Sequence, residues 1–195
     1  MNTSAIACLG WGSLVWEPRT LPCAEEWRND GPLLPVEFAR ESGDKPDTLR
    51  ITLVICESVQ PVPTCWAPLR ADSVCDARNA LAVREYEKAS RQWTDKYIGF
   101  CDLETGAQSG REAATITAWA ARTGLRGAVW TDLPCGFRDK RGTMPNADEI
   151  VTYLRRLDDP ARNGAEKYVR RAPKQVATRY RQQIVEALDW SYRDR

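Results

Sequence analysis

The 195-residue sequence contains no histidine. This absence excludes Ser-His-Asp and Cys-His nucleophile systems, HExxH metalloproteases and histidine-ligated zinc sites. Any proton transfer near neutral pH must therefore be made by a carboxylate, Cys, Lys or Tyr side chain whose environment has tuned its pKa.

The sequence also lacks a CxxC pair and any long apolar run. Its seven cysteines are an odd number, and several lie in apolar stretches, which is typical of buried thiols in a reducing compartment. We therefore expect no disulfide framework and no metal site. No Lys or Arg precedes Arg19, which argues against a secretory signal, and no stretch is long enough for a membrane span. These features predict a cytoplasmic protein with no membrane partner.

A strong charge of either sign is absent as well, because the formal net charge is only +1. With 43% hydrophobic and 28% charged residues, the composition is that of a globular protein without whole-chain attraction to nucleic acid. From Arg155 onward eleven Lys or Arg stand against six Asp or Glu. These charges are interspersed and no aromatic stacking series accompanies them, so the pattern favours a solvated face of amphipathic helices over a nucleic-acid surface.

The alternation of apolar and polar residues predicts an α+β fold. Val74, Ala77 and Leu81 recur at helical spacing, and residues 50–56 are so continuously apolar that we expect them at the centre of a sheet. A polar turn is predicted at 40–47, and Pro173 suits the first turn of the last helix. The predicted strands are 5–9, 32–38, 49–56, 64–67, 96–103 and 127–131, and the predicted helices are 72–90, 110–122, 146–157, 161–171 and 173–190.

Two glycines one residue apart follow the first predicted strand, in the loop Gly10-Trp11-Gly12-Ser13-Leu14. Such a loop turns sharply or lets another group approach closely, and it can aim successive N–H groups at a carboxylate or a developing oxyanion. The alternative interpretation is a tight turn with Trp11 and Trp16 as core anchors.

The segment from Leu9 to Pro18 resembles the GYGSLxWxP signature of the γ-glutamyl cyclotransferase-like superfamily, particularly its ChaC-type branch, with Trp11 where those proteins usually have Tyr. The superfamily's second hallmark is an acidic residue on a downstream helix, and Val83-Arg84-Glu85-Tyr86-Glu87-Lys88 looks like that segment. The resemblance is best over about the first 105 residues. It implies a single domain over 1–195, a small mixed β-barrel flanked by α-helices, with a helical C-terminal extension over 146–195 packed on it.

The resemblance also implies a reaction that needs no cofactor. A carboxylate takes a proton from the α-amine of a γ-glutamyl amide or peptide, the amine attacks the γ-carbonyl, and 5-oxoproline and an amine leave. The small-molecule γ-glutamyl substrate would be bound by Gly10, Trp11, Gly12, Ser13 and Leu14. No nucleic-acid partner is expected, and the oligomeric state and the leaving amine are left open.

Two glutamates compete for the role of catalytic base. Alignment on Arg84-Glu85 favours Glu85, whereas alignment on the LDxxEG form of the motif favours Glu87. The two residues face in roughly opposite directions on a helix, so at most one points into a pocket. We favour Glu87 from the sequence, because Ala80, Val83 and Glu87 continue one stripe that we expect to face inward.

Two further residues are candidates for substrate binding. Arg40 follows the strand ending at Phe38, where the family often keeps a basic residue, although a turn residue is the alternative. Tyr168, with Asn163, resembles the ChaC-type N-x-x-Y-L helix, and packing is its alternative role. Two other functions remain open: a catalytically inactive ligand-binding protein that keeps the pocket, and a nucleic-acid-associated module using the basic C-terminal helices.

Overall fold

A five-stranded sheet forms the centre of the first part of the fold in the computed structural model, which describes residues 5–190. The strands are β1 (Ile6–Gly10), β6 (Cys65–Leu69), β7 (Ile98–Asp102), β8 (Gln108–Ser109) and β9 (Gly127–Thr131). Their order in the sheet is β6-β1-β9-β7-β8. Strands β1 and β9 run parallel, and the other neighbours are antiparallel.

Three helices accompany this sheet: α1 (Val74–Glu85), α2 (Arg91–Tyr97) and α3 (Ala113–Thr123). Helix α1 packs against β1, β7 and β9, and α3 packs against β7 and β9. The resulting core joins Ile6 and Cys8 of β1 to Leu81 and Ala82 of α1, and it also contains Leu14. All five side chains are at most 6% exposed. Burial of this continuous apolar surface is the main force that fixes α1 on the sheet.

The helix predicted over 72–90 is shorter than expected. It begins at Val74, where the Ser73 hydroxyl accepts a hydrogen bond from the Asp76 N–H, and it ends at Glu85. The chain then turns and restarts as α2, capped by Ser90. The expected inward stripe is wrong, because Val83 is 48% exposed and Glu87 lies in the exposed turn beyond the helix.

A second group of strands contains the predicted hairpin. Strands β3 (Val36–Ser42) and β4 (Arg50–Ile55) pair antiparallel in a two-stranded sheet, with a register shift between Phe38 and Arg40. Strand β3 therefore extends into the predicted turn, and β4 is not at the centre of a larger sheet. Its apolar side chains are covered instead by helices, chiefly by α5 (Asp159–Arg171). Two-residue strands β2 (Leu33–Leu34) and β5 (Val62–Pro63) flank this hairpin in sequence.

The C-terminal region is helical, as predicted, with α4 (Ala147–Arg155) and α6 (Arg179–Leu188) beside α5. The predicted start of the last helix at Pro173 is wrong. Helix α6 begins after Thr178, whose hydroxyl accepts a hydrogen bond from the Arg181 N–H at 3.1 Å. Because that cap satisfies one of the free N–H groups of the first turn, it sets the start of the helix.

A buried carboxylate anchors the start of α6 to β3. Glu37 is 2% exposed, and it accepts hydrogen bonds from the Thr178 hydroxyl, from the Tyr180 N–H at 3.1 Å and from the Phe38 N–H at 2.8 Å. Burial raises the pKa of Glu37, and the hydrogen bonds partly oppose this rise. The position of α6 therefore depends on a carboxylate that has lost its contact with water.

The chain divides into two compact units. The first contains residues up to Gly10, Leu14–Leu34 and Pro63–Leu133, and the second contains Trp11–Ser13, Pro35–Val62 and the chain from Pro134 onward. The α+β class is confirmed. No ring of strand pairings closes among residues 5–190, so the barrel stays a prediction, as does the single domain with an extension over 146–195. Over the same residues, every helix is too short or too polar to cross a bilayer.

Candidate functional site

The first glycine of the loop is needed for a close approach of an aromatic ring. Gly10 ends β1, and a Cβ placed on it would lie 2.6 Å from the nearest ring carbon of Trp27. That separation is shorter than carbon atoms tolerate, so a larger residue here would displace the indole. Gly10 does not have a left-handed backbone, so space rather than φ makes glycine necessary.

The second glycine is needed for the same kind of reason, within the second unit. A Cβ on Gly12 would overlap the hydroxyl oxygen of Tyr168 on α5. Tyr168 is 7% exposed, packs edge-on against Phe38 at 6.2 Å, and lies under the Arg50 guanidinium. The loop thus passes directly over the tip of a buried tyrosine.

Trp11, between the two glycines, is buried and anchored. Its side chain is 3% exposed, and the indole N–H donates a hydrogen bond of 3.2 Å to the carbonyl oxygen of Leu53 on β4. The Tyr168 hydroxyl accepts from the N–H of the same Leu53 at 3.4 Å. The polar atom of the Trp11 side chain is therefore engaged by the protein backbone.

The loop keeps backbone donors available. Within residues 5–190, the N–H groups of Gly12 and Leu14 make no hydrogen bond, although both residues are buried. A buried N–H without a partner costs about 1–3 kcal/mol, so such groups are often held in place for a ligand. This arrangement fits the expected binding of a carboxylate or an oxyanion by the loop.

Glu85 occupies a partly buried position at the end of α1, in the first unit. Its side chain is 18% exposed, and Oε1 accepts a hydrogen bond of 2.6 Å from Nη1 of Arg84, whose own side chain is only 5% exposed. Nη2 of Arg84 donates to the carbonyl oxygen of Glu17 at 2.7 Å. Arg84 thereby joins the Glu85 carboxylate to the segment that directly follows the loop.

The Cys8 thiol of the first strand lies within the electrostatic influence of Glu85 and Arg84. Burial raises the pKa of the Cys8 thiol well above its usual value; Cys23 and the negative charge of Glu85 add to this rise, and the positive charge of Arg84 opposes it. Cys8 and Leu14 belong to the same core cluster as the last turns of α1. Glu85 therefore lies where the end of α1 meets β1 and the segment after the loop.

Glu87 lies in a different environment. It is exposed in the turn between α1 and α2, beside Tyr86, which is 49% exposed. The periodicity that favoured it required the helix to continue, and the helix stops two residues earlier. Of the two candidate bases, only Glu85 is partly buried and ion-paired.

Arg40 lies within β3 rather than in a turn. Its Nη1 donates a hydrogen bond of 2.7 Å to the carbonyl oxygen of Pro134, and Gly136 pairs with Ala39 and Arg40 at the register shift of β3. The guanidinium therefore holds the segment after β9 in the second unit. Contact of Arg40 with a substrate stays a prediction, as does the role of Ser13, which is half-buried in the loop.

No group of three or more Cys, Asp or Glu side chains in the described part of the chain is arranged to hold a metal ion. Some basic side chains of the C-terminal region bind groups within it. Arg181 donates to the carbonyl oxygens of Val169, Ala172, Pro173 and Val176, which satisfies the end of α5. Arg170 pairs with Glu166 at 2.5 Å. Arg181 and Arg170 are therefore engaged within the protein, whereas the sequence predicted a solvated face for the basic residues, and the lack of a nucleic-acid partner stays a prediction.

Sequence reasoning missed three contributors to this region: Arg84 as the partner of Glu85, Trp27 against Gly10, and the Leu53 peptide that holds Trp11. The adjacency of Arg84 and Glu85 was a visible signal, but residues one apart on a helix do not normally face each other. The two side chains nevertheless form a 2.6 Å hydrogen bond at the last two residues of α1. The Trp27 and Leu53 contacts leave no local pattern in the sequence.

Comparisons with known proteins show a likeness of fold. The structure is similar to a crystal structure described as a γ-glutamyl cyclotransferase specific to glutathione, from yeast, with a TM-score of 0.51 and 14% sequence identity. The match covers 95% of this chain and 98% of the yeast chain. This chain shares the fold of that enzyme. No family model matches the sequence, and no curated protein sequence matches it. The likeness is therefore one of fold, and it includes the C-terminal helices.

Proposed function

We propose that this protein is a γ-glutamyl cyclotransferase-type enzyme that releases 5-oxoproline from a γ-glutamyl amide or peptide, with Glu85 as the general base. The observation that carries the proposal is the partly buried Glu85 carboxylate, held by Arg84 at the end of α1. The fold shared with the yeast cyclotransferase and the loop resemblance support the same reaction.

The reaction proceeds within one substrate molecule. Glu85 accepts a proton from the α-ammonium group of the γ-glutamyl compound, which frees the nitrogen lone pair. The nitrogen attacks the γ-carbonyl carbon and forms a five-membered ring with a tetrahedral oxyanion. The oxyanion collapses, the bond to the leaving nitrogen breaks, and that nitrogen takes the proton back from Glu85. The ring nitrogen, which is positively charged after the attack, releases its second proton to water. The products are 5-oxoproline and a free amine, and no redox step or second substrate is needed.

The loop residues Gly10, Trp11, Gly12, Ser13 and Leu14 are assigned the binding role through their backbone. The unpaired N–H groups of Gly12 and Leu14 support it, because each can donate to a substrate carboxylate or to the oxyanion. In other enzymes, one donor of this kind contributes about 3 kcal/mol to the stability of the transition state.

Glu85 is preferred to Glu87 because a base must be held in one orientation near the proton that it accepts. Arg84 fixes the Glu85 carboxylate by a 2.6 Å hydrogen bond, whereas Glu87 is exposed in a turn. We therefore replace the sequence-based preference for Glu87.

The test measures 5-oxoproline release from glutathione, γ-glutamyl amino acids and γ-glutamyl amines by mass spectrometry. Glu85→Gln should lower kcat roughly 10²- to 10⁴-fold, the usual contribution of a general base. Glu87→Gln is the matched control, since it makes the same chemical change two residues away, and it should stay within about twofold of wild type.

Equal losses in both variants, or full activity in Glu85→Gln, would contradict the assignment of the base. Absence of release from every substrate, with retained binding of a γ-glutamyl compound by calorimetry, would favour the inactive ligand-binding protein instead. Steeply salt-dependent affinity for nucleic acid would favour the nucleic-acid-associated module.

A further inference from the structure

At Leu53, the edge of β4 that faces away from β3 is hydrogen-bonded by two side chains. Strand β4 pairs with β3 along one edge. On the other edge, the N–H of Leu53 donates to the Tyr168 hydroxyl and its carbonyl accepts from the Trp11 indole. In an antiparallel strand the N–H and C=O of one residue point to the same side, so both bonds form on one peptide edge.

Both side chains that bind Leu53 also hold the loop. Trp11 is the residue immediately before Gly12, and its indole fixes the chain on one side of the glycine. The Tyr168 hydroxyl lies so close to Gly12 that a Cβ there would overlap it. Gly12 is therefore held in place by the preceding residue, Trp11, and by Tyr168 of α5. Both of these side chains are hydrogen-bonded to the backbone of Leu53.

The two supports are rigid. Trp11 is 3% exposed and Tyr168 is 7% exposed, and the Tyr168 ring packs edge-on against Phe38, which is fully buried. Buried aromatic rings in a close-packed core have few alternative rotamers. A small displacement of either ring would move the Gly12 peptide and its unpaired N–H.

We propose that Trp11 and Tyr168 are positioning residues, which orient the Gly12 N–H through their shared bonds to Leu53, and that their side chains do not contact substrate. This inference rests on the proposed function, in which the Gly12 N–H is a substrate donor. It also gives a reason for Trp11 in place of the Tyr of the resembling signature, because the indole N–H supplies the bond to the Leu53 carbonyl.

The experiment compares Trp11→Phe and Tyr168→Phe with Trp130→Phe. Each of the first two removes one hydrogen bond to Leu53 and keeps a ring. Trp130 is fully buried, and its indole N–H makes no hydrogen bond among the described residues, so its replacement by Phe is a matched loss of volume alone. Two quantities are measured on the full chain, well below the melting temperature: amide hydrogen exchange of peptides covering 10–14 and 50–55, and kcat/KM for 5-oxoproline release.

Trp11→Phe and Tyr168→Phe should each raise exchange in these peptides about fivefold, the equilibrium worth of one hydrogen bond. Each should lower kcat/KM by at least as much, since the donor spends less time in position. Trp130→Phe should change the stability of the whole chain without this local increase and with the same kcat/KM.

The outcomes separate this inference from the proposed function. If wild type releases 5-oxoproline but the first two variants exchange and react like wild type, the positioning role is wrong and the cyclotransferase remains. If no substrate reacts but exchange rises as expected, the positioning of the loop by Trp11 and Tyr168 is supported and the proposed cyclotransferase activity is contradicted. A rise in KM alone, with unchanged exchange, would show direct contact with substrate and would overturn the inference.

Discussion

The contact between Gly12 and Tyr168 predicts a measurable coupling between two substitutions. In Gly12→Ala the new Cβ would overlap the Tyr168 hydroxyl, and because Gly12 has no left-handed backbone, the cost is steric. Overpacking of this kind costs about 2 kcal/mol of unfolding free energy. Tyr168→Phe removes the acceptor of the 3.4 Å bond from Leu53, which costs about 1 kcal/mol.

If the two changes were independent, the double variant would lose about 3 kcal/mol. In the double variant, however, the hydroxyl is gone and the nearest atom to the new Cβ is the ring carbon Cζ, 3.3 Å away in the present structure. That distance needs a shift of only a few tenths of an ångström. We expect the double variant to lose about 1.5 kcal/mol, which gives a coupling energy of about 1.5 kcal/mol.

The unfolding free energies of wild type, the two single variants and the double variant are measured by urea unfolding, followed by tryptophan fluorescence. The values are compared only if the m-values are equal. Gly164→Ala is the control. Gly164 lies in α5, and a Cβ on it would meet nothing within 4 Å. It should stabilise the helix by about 0.5–1 kcal/mol and should combine additively with Tyr168→Phe. Additivity of the Gly12 and Tyr168 changes within about 0.4 kcal/mol would refute the reasoning.

Two further predictions concern buried charges. Because burial raises the folded-state pKa of Glu37, the folded protein binds the proton more tightly than the unfolded chain does, so the stability from this group is present below about pH 4.3 and is lost as the pH rises through the raised pKa. The unfolding free energy of wild type minus that of Glu37→Gln should therefore fall between pH 4 and pH 7, and parallel urea profiles would contradict this. Arg111 binds the Asp132 carboxylate at 2.7 Å, and Arg111→Ala should cost about 2 kcal/mol, less than a fully buried pair because the arginine is 28% exposed. Arg91→Ala, at a 97% exposed position, should leave the melting temperature unchanged, and an equal shift in both variants would refute the role of burial.

The strands were the most predictable part of this fold. The apolar runs before Gly10 and after Gly127 form β1 and β9, since a short continuous apolar run suits a strand buried on both faces. The position of β4 was not predictable in the same way. Its apolar character indicated burial correctly, but the sequence alone does not distinguish cover by neighbouring strands from cover by helices.

The choice between Glu85 and Glu87 depends on where α1 ends, and the sequence gives little sign of that end. The segment from Tyr86 to Ala89 contains neither Gly nor Pro, so no residue there predicts a stop. The helix ends because Ser90 caps a new helix and because Tyr86 packs with Trp93 of that helix at 5.7 Å. The two glycines of the loop were predictable as a site of close approach. Their partners Trp27 and Tyr168 were not, because no local pattern connects them.

The hydrogen bonds that join Trp11 and Tyr168 to Leu53 have a consequence for folding during synthesis. The two bonds to Leu53 span 42 residues toward Trp11 and 115 residues toward Tyr168. At about 5–20 residues per second, a ribosome needs roughly 6–23 s to travel from Leu53 to Tyr168. During that interval Trp11 and Leu53 have both been synthesised, whereas Tyr168 has not. The loop near the N-terminus is therefore among the first parts of the protein to be made, yet one of its two supports becomes available only after most of the chain has been synthesised.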